Sequence, residues 1–331
     1  MNSSRRKFIK TSALSLAGLG VASATPALLR AEKTRSGLPF KLALSQFSLA
    51  SQFWSKKLDP LDFPQKSIKT FGIPGLDYCS MFFADKAKDA AFLGELKKRA
   101  LDNGCYNLRI MVDAEGVLGD LNKEVRTKAI ENHHKWIDAA AMLGCPMIRV
   151  NVEGEGDPKE VSKAAMESLN ALLDYGGKSN IDVIVENHVG ISCNGGWLAS
   201  LMKEMKNPHC GTLADFGNFC VNRTKPPTND IAGWMQTKCL EEYDRYKGIQ
   251  ELIPYAKGVH AKTHLFDPNG NDLETDFAKM FKIINDSGFK GWVSIEYEGG
   301  LLKMFGKDDK YLDDDAGVLA TKKLIEKVAN G

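Results

Sequence analysis

From residue 40 onward, short runs of consecutive apolar residues alternate with longer stretches whose apolar positions recur every three or four residues. A strand buried on both faces gives the first pattern and an amphipathic helix the second, so the alternation predicts βα units around a parallel sheet. Eight runs are predicted as strands: Lys41–Leu49, Gly75–Cys79, Tyr106–Val112, Met147–Val152, Asp182–Asn187, Gly211–Asp215, Gly258–Thr263 and Trp292–Tyr297. Helical periodicity covers Asp89–Asn103, Lys123–Leu143, Lys159–Tyr175, Trp197–Met205, Leu273–Ser287 and Ala316–Val328. Gly104, Gly144 and Gly288 stand where helices should stop before the next strand. Eight such units close most simply as a (β/α)8 TIM barrel, a single domain over residues 40–331. An open doubly wound sheet is the alternative, but no Gly-x-Gly-x-x-Gly follows the first run.

One segment breaks the rhythm. Asn222–Gln250 is long and polar and carries Pro226, Pro227, Trp234, Tyr243 and Tyr246, which predicts a sixth βα loop serving as lid or specificity wall. A shorter acidic loop, Lys307–Asp315, follows the eighth run and reads as solvated surface.

Composition narrows the function classes. Over 331 residues, 43% hydrophobic and 26% charged positions describe a globular chain able to bury a full core. The formal charge of +2 includes Arg5, Arg6, Lys7, Lys10 and Arg30, with no acidic residue among the first 31, so the remainder is slightly acidic. That excludes the basic excess a nucleic-acid partner demands. Residues 1–31 read as a twin-arginine signal peptide: Ser4-Arg5-Arg6-Lys7-Phe8-Ile9-Lys10, a moderately apolar stretch from Thr11 to Ala24, and cleavage expected after Ala24 or Ala31. The stretch is too short and too rich in Gly, Ala and Ser for a span of about 20 residues. The expected location is periplasmic, or otherwise exported by the twin-arginine route, with no membrane contact after cleavage. Seven cysteines lack any Cys-x-x-Cys pair, so most read as small buried hydrophobes, at least one unpaired within a monomer. An oxidising destination permits a disulfide without identifying one.

The candidate chemistry lies at the ends of the last four runs, in Val185-Glu186-Asn187-His188, Ala214-Asp215-Phe216, Val259-His260-Ala261-Lys262-Thr263-His264 and Ile295-Glu296-Tyr297-Glu298. Strand C-termini of a barrel form its functional face, so these groups converge. Side chains two apart share a face, which turns Glu186 with His188, His260 with Lys262 and His264, and Glu296 with Glu298 inward, and Val185, Val259 and Ile295 toward the helices. Three converging carboxylates and an imidazole would repel unless a cation held them. The expected metal set is Glu186, Asp215, His260 and Glu296 around one divalent ion, with Mn2+, Mg2+, Co2+ or Zn2+ suited to oxygen-rich ligands and one nitrogen.

From Leu42 onward the chain resembles the sugar-phosphate isomerase/epimerase family of xylose isomerase-like barrels. The resemblance rests on Phe71-Gly72-Ile73-Pro74-Gly75-Leu76-Asp77-Tyr78 and on the order of the four strand-end motifs. It implies that the quartet binds one metal and that Glu186 and Glu296 relay a proton on opposite faces of the substrate. A metal bridging a carbonyl and a neighbouring hydroxyl acidifies the C–H between them and stabilises an enediolate. Where ketose 3-epimerases of the family carry a histidine three residues after the metal-binding Asp, this chain has Asn218. Where they carry an arginine six residues after the metal-binding His, it has Phe266. Lys262 resembles the His-x-Lys arrangement of inosose dehydratase-like members and is a candidate to polarise a keto group or protonate a departing hydroxyl. His188, His264, Asn218 and Trp54 are candidate substrate contacts. Gln46, Asp113, Arg149 and Asn151 are weaker pocket candidates, and His133 and His134 read as surface or packing residues.

Together these features predict a metal-dependent sugar isomerase or epimerase acting by proton abstraction next to a carbonyl on a small carbohydrate or cyclic polyol. A lyase or dehydratase acting on a keto-sugar or inosose is the alternative of the same chemistry, and a non-catalytic periplasmic sugar-binding protein the alternative of another class. Endonuclease-like DNA cleavage fits the acidic body poorly. A homo-oligomer is compatible with the sequence.

Overall fold

The computed structural model describes residues 37–228, 230–306 and 310–329. Residues 1–31, expected to be a signal peptide, and part of the Lys307–Asp315 loop lie outside the described residues. Eight parallel strands form a closed barrel: β1 (Lys41–Ser45), β2 (Gly75–Cys79), β3 (Tyr106–Met111), β4 (Met147–Val150), β5 (Asp182–Glu186), β6 (Cys210–Asp215), β9 (Ala256–Thr263) and β10 (Trp292–Tyr297). Two further strands, β7 (Cys220–Arg223) and β8 (Cys239–Glu242), pair as an antiparallel hairpin outside it. Going round, the order is β1, β10, β9, β6, β5, β4, β3, β2, so each strand pairs with its successor in the chain once the hairpin is set aside. This is a single (β/α)8 TIM barrel.

Local chemistry explains where the elements start and stop. Asp89, Asn122, Asp157, Asn194, Asp244 and Asp276 each accept hydrogen bonds from backbone N–H groups in the first turn of the helix that follows. Gly144 ends helix Lys123–Leu143 in the left-handed conformation, at φ 85°. The first strand is shorter than its apolar pattern suggests. Ser45 Oγ accepts from Phe47 N at 3.3 Å and bends the chain into a 3-10 turn, so Gln46 lies beyond the strand and accepts from Cys79 N at 2.8 Å.

The segment Asn222–Gln250 is more structured than its polarity suggests. The hairpin is closed by a disulfide between Cys220 and Cys239, 19 residues apart. Helix Arg245–Leu252 then takes the sixth helical position, burying Gly248, Ile249 and Leu252. Tyr243 and Tyr246 are hydrogen-bonded to Glu251 and to the N–H of Asp276, so they support this packing. The other five cysteines are free, and four of them are buried. Among the described residues, no helix is long and apolar enough to cross a membrane.

Two kinds of interior result. Outward-facing strand residues, including Val185, Val259 and Ile295, join the apolar core under the helices. Inside the barrel, Asp77 on β2 and Arg109 on β3 are register neighbours, and Oδ1 of Asp77 lies 2.9 Å from Nε of Arg109 with both side chains fully enclosed. Gly258 on β9 makes room for this pair, because a Cβ there would stand 2.1 Å from Nη1 of Arg109.

Candidate active site

The quartet Glu186, Asp215, His260 and Glu296 comes together at the C-terminal end of four adjacent barrel strands. Asp215 and His260 are register partners across β6 and β9, and Ser294 and Glu296 flank them on β10 as partners of His260 and Lys262. All four side chains are buried, and each contributes a ligand atom to a cluster spanning no more than 4.8 Å. Ligand bonds of roughly 2.1 Å would set opposed atoms about 4.2 Å apart, so the dimensions suit one small divalent cation.

The hydrogen bonding sorts the ligand atoms. One oxygen of Asp215 accepts from the N–H groups of Gly217 (2.7 Å) and Asn218 (2.9 Å), while its buried Oδ2 has no hydrogen-bond donor. Oε1 of Glu296 accepts from Ser45 Oγ at 2.8 Å, leaving Oε2 facing Nδ1 of His260 at 3.2 Å. Glu186 turns Oε2 to Arg149 (2.8 Å) and Oε1 to the same imidazole nitrogen (3.4 Å). His260 in turn points Nε2 at Asp77, 3.2 Å away. If Nε2 donates to that carboxylate, Nδ1 keeps its lone pair for a metal. Each member is thus anchored by one atom and directs another to a common centre, and the donor set fits a divalent metal.

Without a cation, protons and neighbouring cationic side chains offset the charge of the quartet. Burial pushes the Asp215 carboxyl well above the usual carboxylate range against the opposing pull of Lys262, and Glu296 and Glu186 add repulsion in the same direction as burial. Burial acts on Glu296 in the same sense, but His260 and Lys262 hold it well below its ordinary value. For His260, burial is overcome by Glu296, Asp77 and Glu186, which keep the imidazole protonated well above neutrality. A bound cation would take the place of these protons.

Around the centre, Lys262 lies 2.8 Å from Glu298, 3.2 Å from Glu296 and 3.7 Å from Asp215, and donates to Asn218 Oδ1 at 3.1 Å. Gly217 lets its stem pass, since a Cβ there would be 2.7 Å from Cδ of Lys262. Asn218 also reaches Glu186, at 3.5 Å. His264 lies between Glu274 (3.1 Å) and Glu298 (3.4 Å), and these bonds overcome burial to push its imidazole up to about 10. His188 lines the cavity with a buried Nδ1 that has no hydrogen-bond partner, and burial pushes its imidazole below the usual range. Asp113, Arg149 and Asn151 form a hydrogen-bonded group in the same wall. Trp54 lines the mouth, edge-on to Phe47. Phe266 stacks on Tyr297 and is not among the cavity-lining residues. His133 bonds to the carbonyl of Ala129, and His134 stacks on Tyr175.

Residues 69–322 match the family described as the xylose isomerase-like TIM barrel. The chain belongs to that family. Solved structures similar to this xylose isomerase-like barrel include a sugar phosphate isomerase/epimerase from Parabacteroides distasonis, at TM-score 0.59 and 16% identity over 93% of this chain and 96% of that one. A D-psicose 3-epimerase matches at TM-score 0.62 and 14% identity, over 88% of this chain and 100% of the other. A 3-keto-D-glucoside 4-epimerase from E. coli matches at TM-score 0.56 and 15% identity, over 81% and 94%. A search of curated protein sequences finds no match. At these identities the likeness describes the fold.

Several residues of the site escape sequence reasoning. Ser45, Asp77, Arg109 and Ser294 hold the ligands from below, and Asn187 braces the turn after Asp215 through bonds to Asp215 and Asn218. Glu274 borders the cavity from a loop, whereas Arg223 and Trp234 border it from within Asn222–Gln250, the segment expected to serve as lid or specificity wall. A signal was present for the buried pair: Asp77 and Arg109 are charged residues inside apolar runs, and each needs a partner of opposite sign.

Proposed function

We propose that the protein is a divalent-metal-dependent sugar isomerase or epimerase that abstracts a proton next to a carbonyl of a small carbohydrate or cyclic polyol. The observation that carries this reading is the pair Glu186 and Glu296, which face one centre and border one cavity from β5 and β10, with β6 and β9 between them. Mn2+, Mg2+, Co2+ or Zn2+ held by Glu186, Asp215, His260 and Glu296 would supply Lewis-acid polarisation of the carbonyl. Arg149 at Glu186, and His260 with Lys262 at Glu296, keep both carboxylates ionised, the state in which a general base takes a proton. Two bases on opposite sides of a substrate can exchange a proton between its faces. Lys262 positions Glu296 and turns an ammonium toward the cavity. His188, kept neutral by burial, has Nδ1 free for a substrate hydroxyl, and Asn218, His264 and Trp54 are proposed as further substrate contacts. The epimerase activities named for structures of the same fold are consistent with this chemistry.

Elimination by a lyase or dehydratase is the second reading, and Lys262 at the cavity wall favours it, because an ammonium there can protonate a departing oxygen. Both readings are tested by NMR in D2O with Mn2+-loaded protein and a panel of ketoses, inososes and keto-glycosides. Loss of one C–H signal that depends on Glu186 and Glu296 is the expected result. Release of water or an aglycone marks the lyase, and binding without exchange would leave a sugar-binding protein instead. The twin-arginine pattern at Arg5 and Arg6 supports export, which fractionation of an Arg5→Lys, Arg6→Lys double variant tests.

A further inference from the structure

The cavity over the quartet encloses about 600 Å³, more than one sugar ring fills. A hexose has about twelve non-hydrogen atoms, and even at the roughly 30 Å³ share of a liquid water molecule each, they occupy roughly 360 Å³. The part of the lining away from the quartet has another character. Phe47 and Trp54 form one wall, with Trp54 held edge-on by Phe47 and Phe82 at 5.9 and 5.6 Å between ring centroids. Trp234 and Met235 line the mouth from the chain between the two strands of the disulfide-closed hairpin. The Arg223 guanidinium lies 5.7 Å from the Trp234 ring, which remains 42% exposed. The two walls arise from loops three strands apart round the barrel. Aromatic faces of this kind bind flat apolar groups, whereas the carboxylates, lysine and imidazoles at the other end suit hydroxyls and a carbonyl.

We propose that the mouth is a second subsite, which holds an aglycone with a flat apolar face, and that the substrates are glycosides in preference to free monosaccharides. This rests on the sugar reading of the metal-side end. It also constrains the chemistry. An anomeric carbon that carries an aglycone is an acetal and provides no carbonyl, so the ketone that acidifies the reacting C–H has to be on another ring carbon. The reaction that supplies such a substrate is therefore an oxidation of a ring hydroxyl, performed before the glycoside reaches this site.

The test is isothermal titration of the full Mn2+-loaded chain with matched phenyl and methyl glycosides of gluco, galacto and manno configuration in both anomers, alongside free ketoses. The phenyl member of the best-bound pair should bind about tenfold tighter, the sum of two modest stacking contacts. Trp234→Ala and Trp54→Ala should each reduce that ratio to about threefold, with Trp234→Phe keeping most of it. Near-UV circular dichroism checks that the variants stay folded. Equal binding of phenyl and methyl glycosides, or a ratio untouched by both alanine variants, overturns the subsite and leaves the sugar reading standing. Absence of binding by every sugar in the panel overturns both.

Discussion

Replacing Asp77 by asparagine separates two roles that one carboxylate fills beneath the proposed metal site. Its Oδ1 lies 2.9 Å from the Arg109 guanidinium and its Oδ2 lies 3.2 Å from Nε2 of His260, with Ser294 donating to the same oxygen. Burial opposes its ionisation, but Arg109 and then His260 hold its carboxyl below the usual range. Asp77→Asn keeps the shape and removes the charge. Among the described residues Asp77 is the one ion-pair partner of Arg109, and stranding a buried charge costs about 3–5 kcal/mol. Losing the carboxylate behind a metal-binding histidine costs about 10–100-fold in metal affinity, or roughly 1.4–2.7 kcal/mol. Urea unfolding of the metal-free protein should therefore show the larger loss, and Mn2+ titration of the folded variant the smaller one. Metal affinity within threefold of the parent would show that Asp77 only balances Arg109. Unchanged urea stability would refute the claim that the pair is desolvated.

Chelation should lower the unfolding temperature, and Mn2+ at one hundred times its Kd should restore about 2.7 kcal/mol; indifference to both treatments would remove the metal from the account. Because burial raises the Asp215 carboxyl and so weakens the case for its charge in the metal-free chain, Asp215→Asn should abolish metal binding at a smaller cost in metal-free stability than Glu186→Gln, which should lose the metal and also leave Arg149 short of one partner. His264 is raised from 6.5 to about 10, so its contribution is fully present below pH 6.5 and is lost as pH rises through 10. Chelated protein should lose stability across that window, and His264→Gln should flatten the slope; parallel curves would contradict the assignment. Reducing the Cys220–Cys239 disulfide, whose loop is worth about 3 kcal/mol, should expose the hairpin to proteolysis and lower the urea midpoint of the chain; an unchanged midpoint would show that the hairpin opens independently of the barrel.

The legible parts of this sequence were those in which local pattern and tertiary position coincide. Glu186, Asp215, His260 and Glu296 each stand at the end of an apolar run, so their place at strand ends brought them together, and alternation turned Glu186, His260 and Glu296 inward. The run through Leu49 misled because Gln46-Phe47-Ser48-Leu49 continues a strand-like pattern, while the Ser45 hydroxyl ends the strand. Helix Arg245–Leu252 was hidden because its eight residues bury only Gly248, Ile249 and Leu252, too few for a visible period. The pairing of Cys220 with Cys239 depends on the hairpin register, and no motif encodes it. Asp77 and Arg109 were readable as anomalies but not as partners, since only the register of β2 with β3 sets them side by side.

Gly258 gives that buried layer an unusual kind of guardian. It contributes no group to bind, donate or accept, yet the smallest possible side chain there collides with the guanidinium that balances Asp77, which in turn orients His260. A survey that ranks positions by the chemistry of their side chains would pass over it, and a random mutation there would resemble a folding defect. Drift at this site is thus policed from a position whose contribution is the space it leaves empty, and a new reaction could evolve at the rim more readily than at the floor.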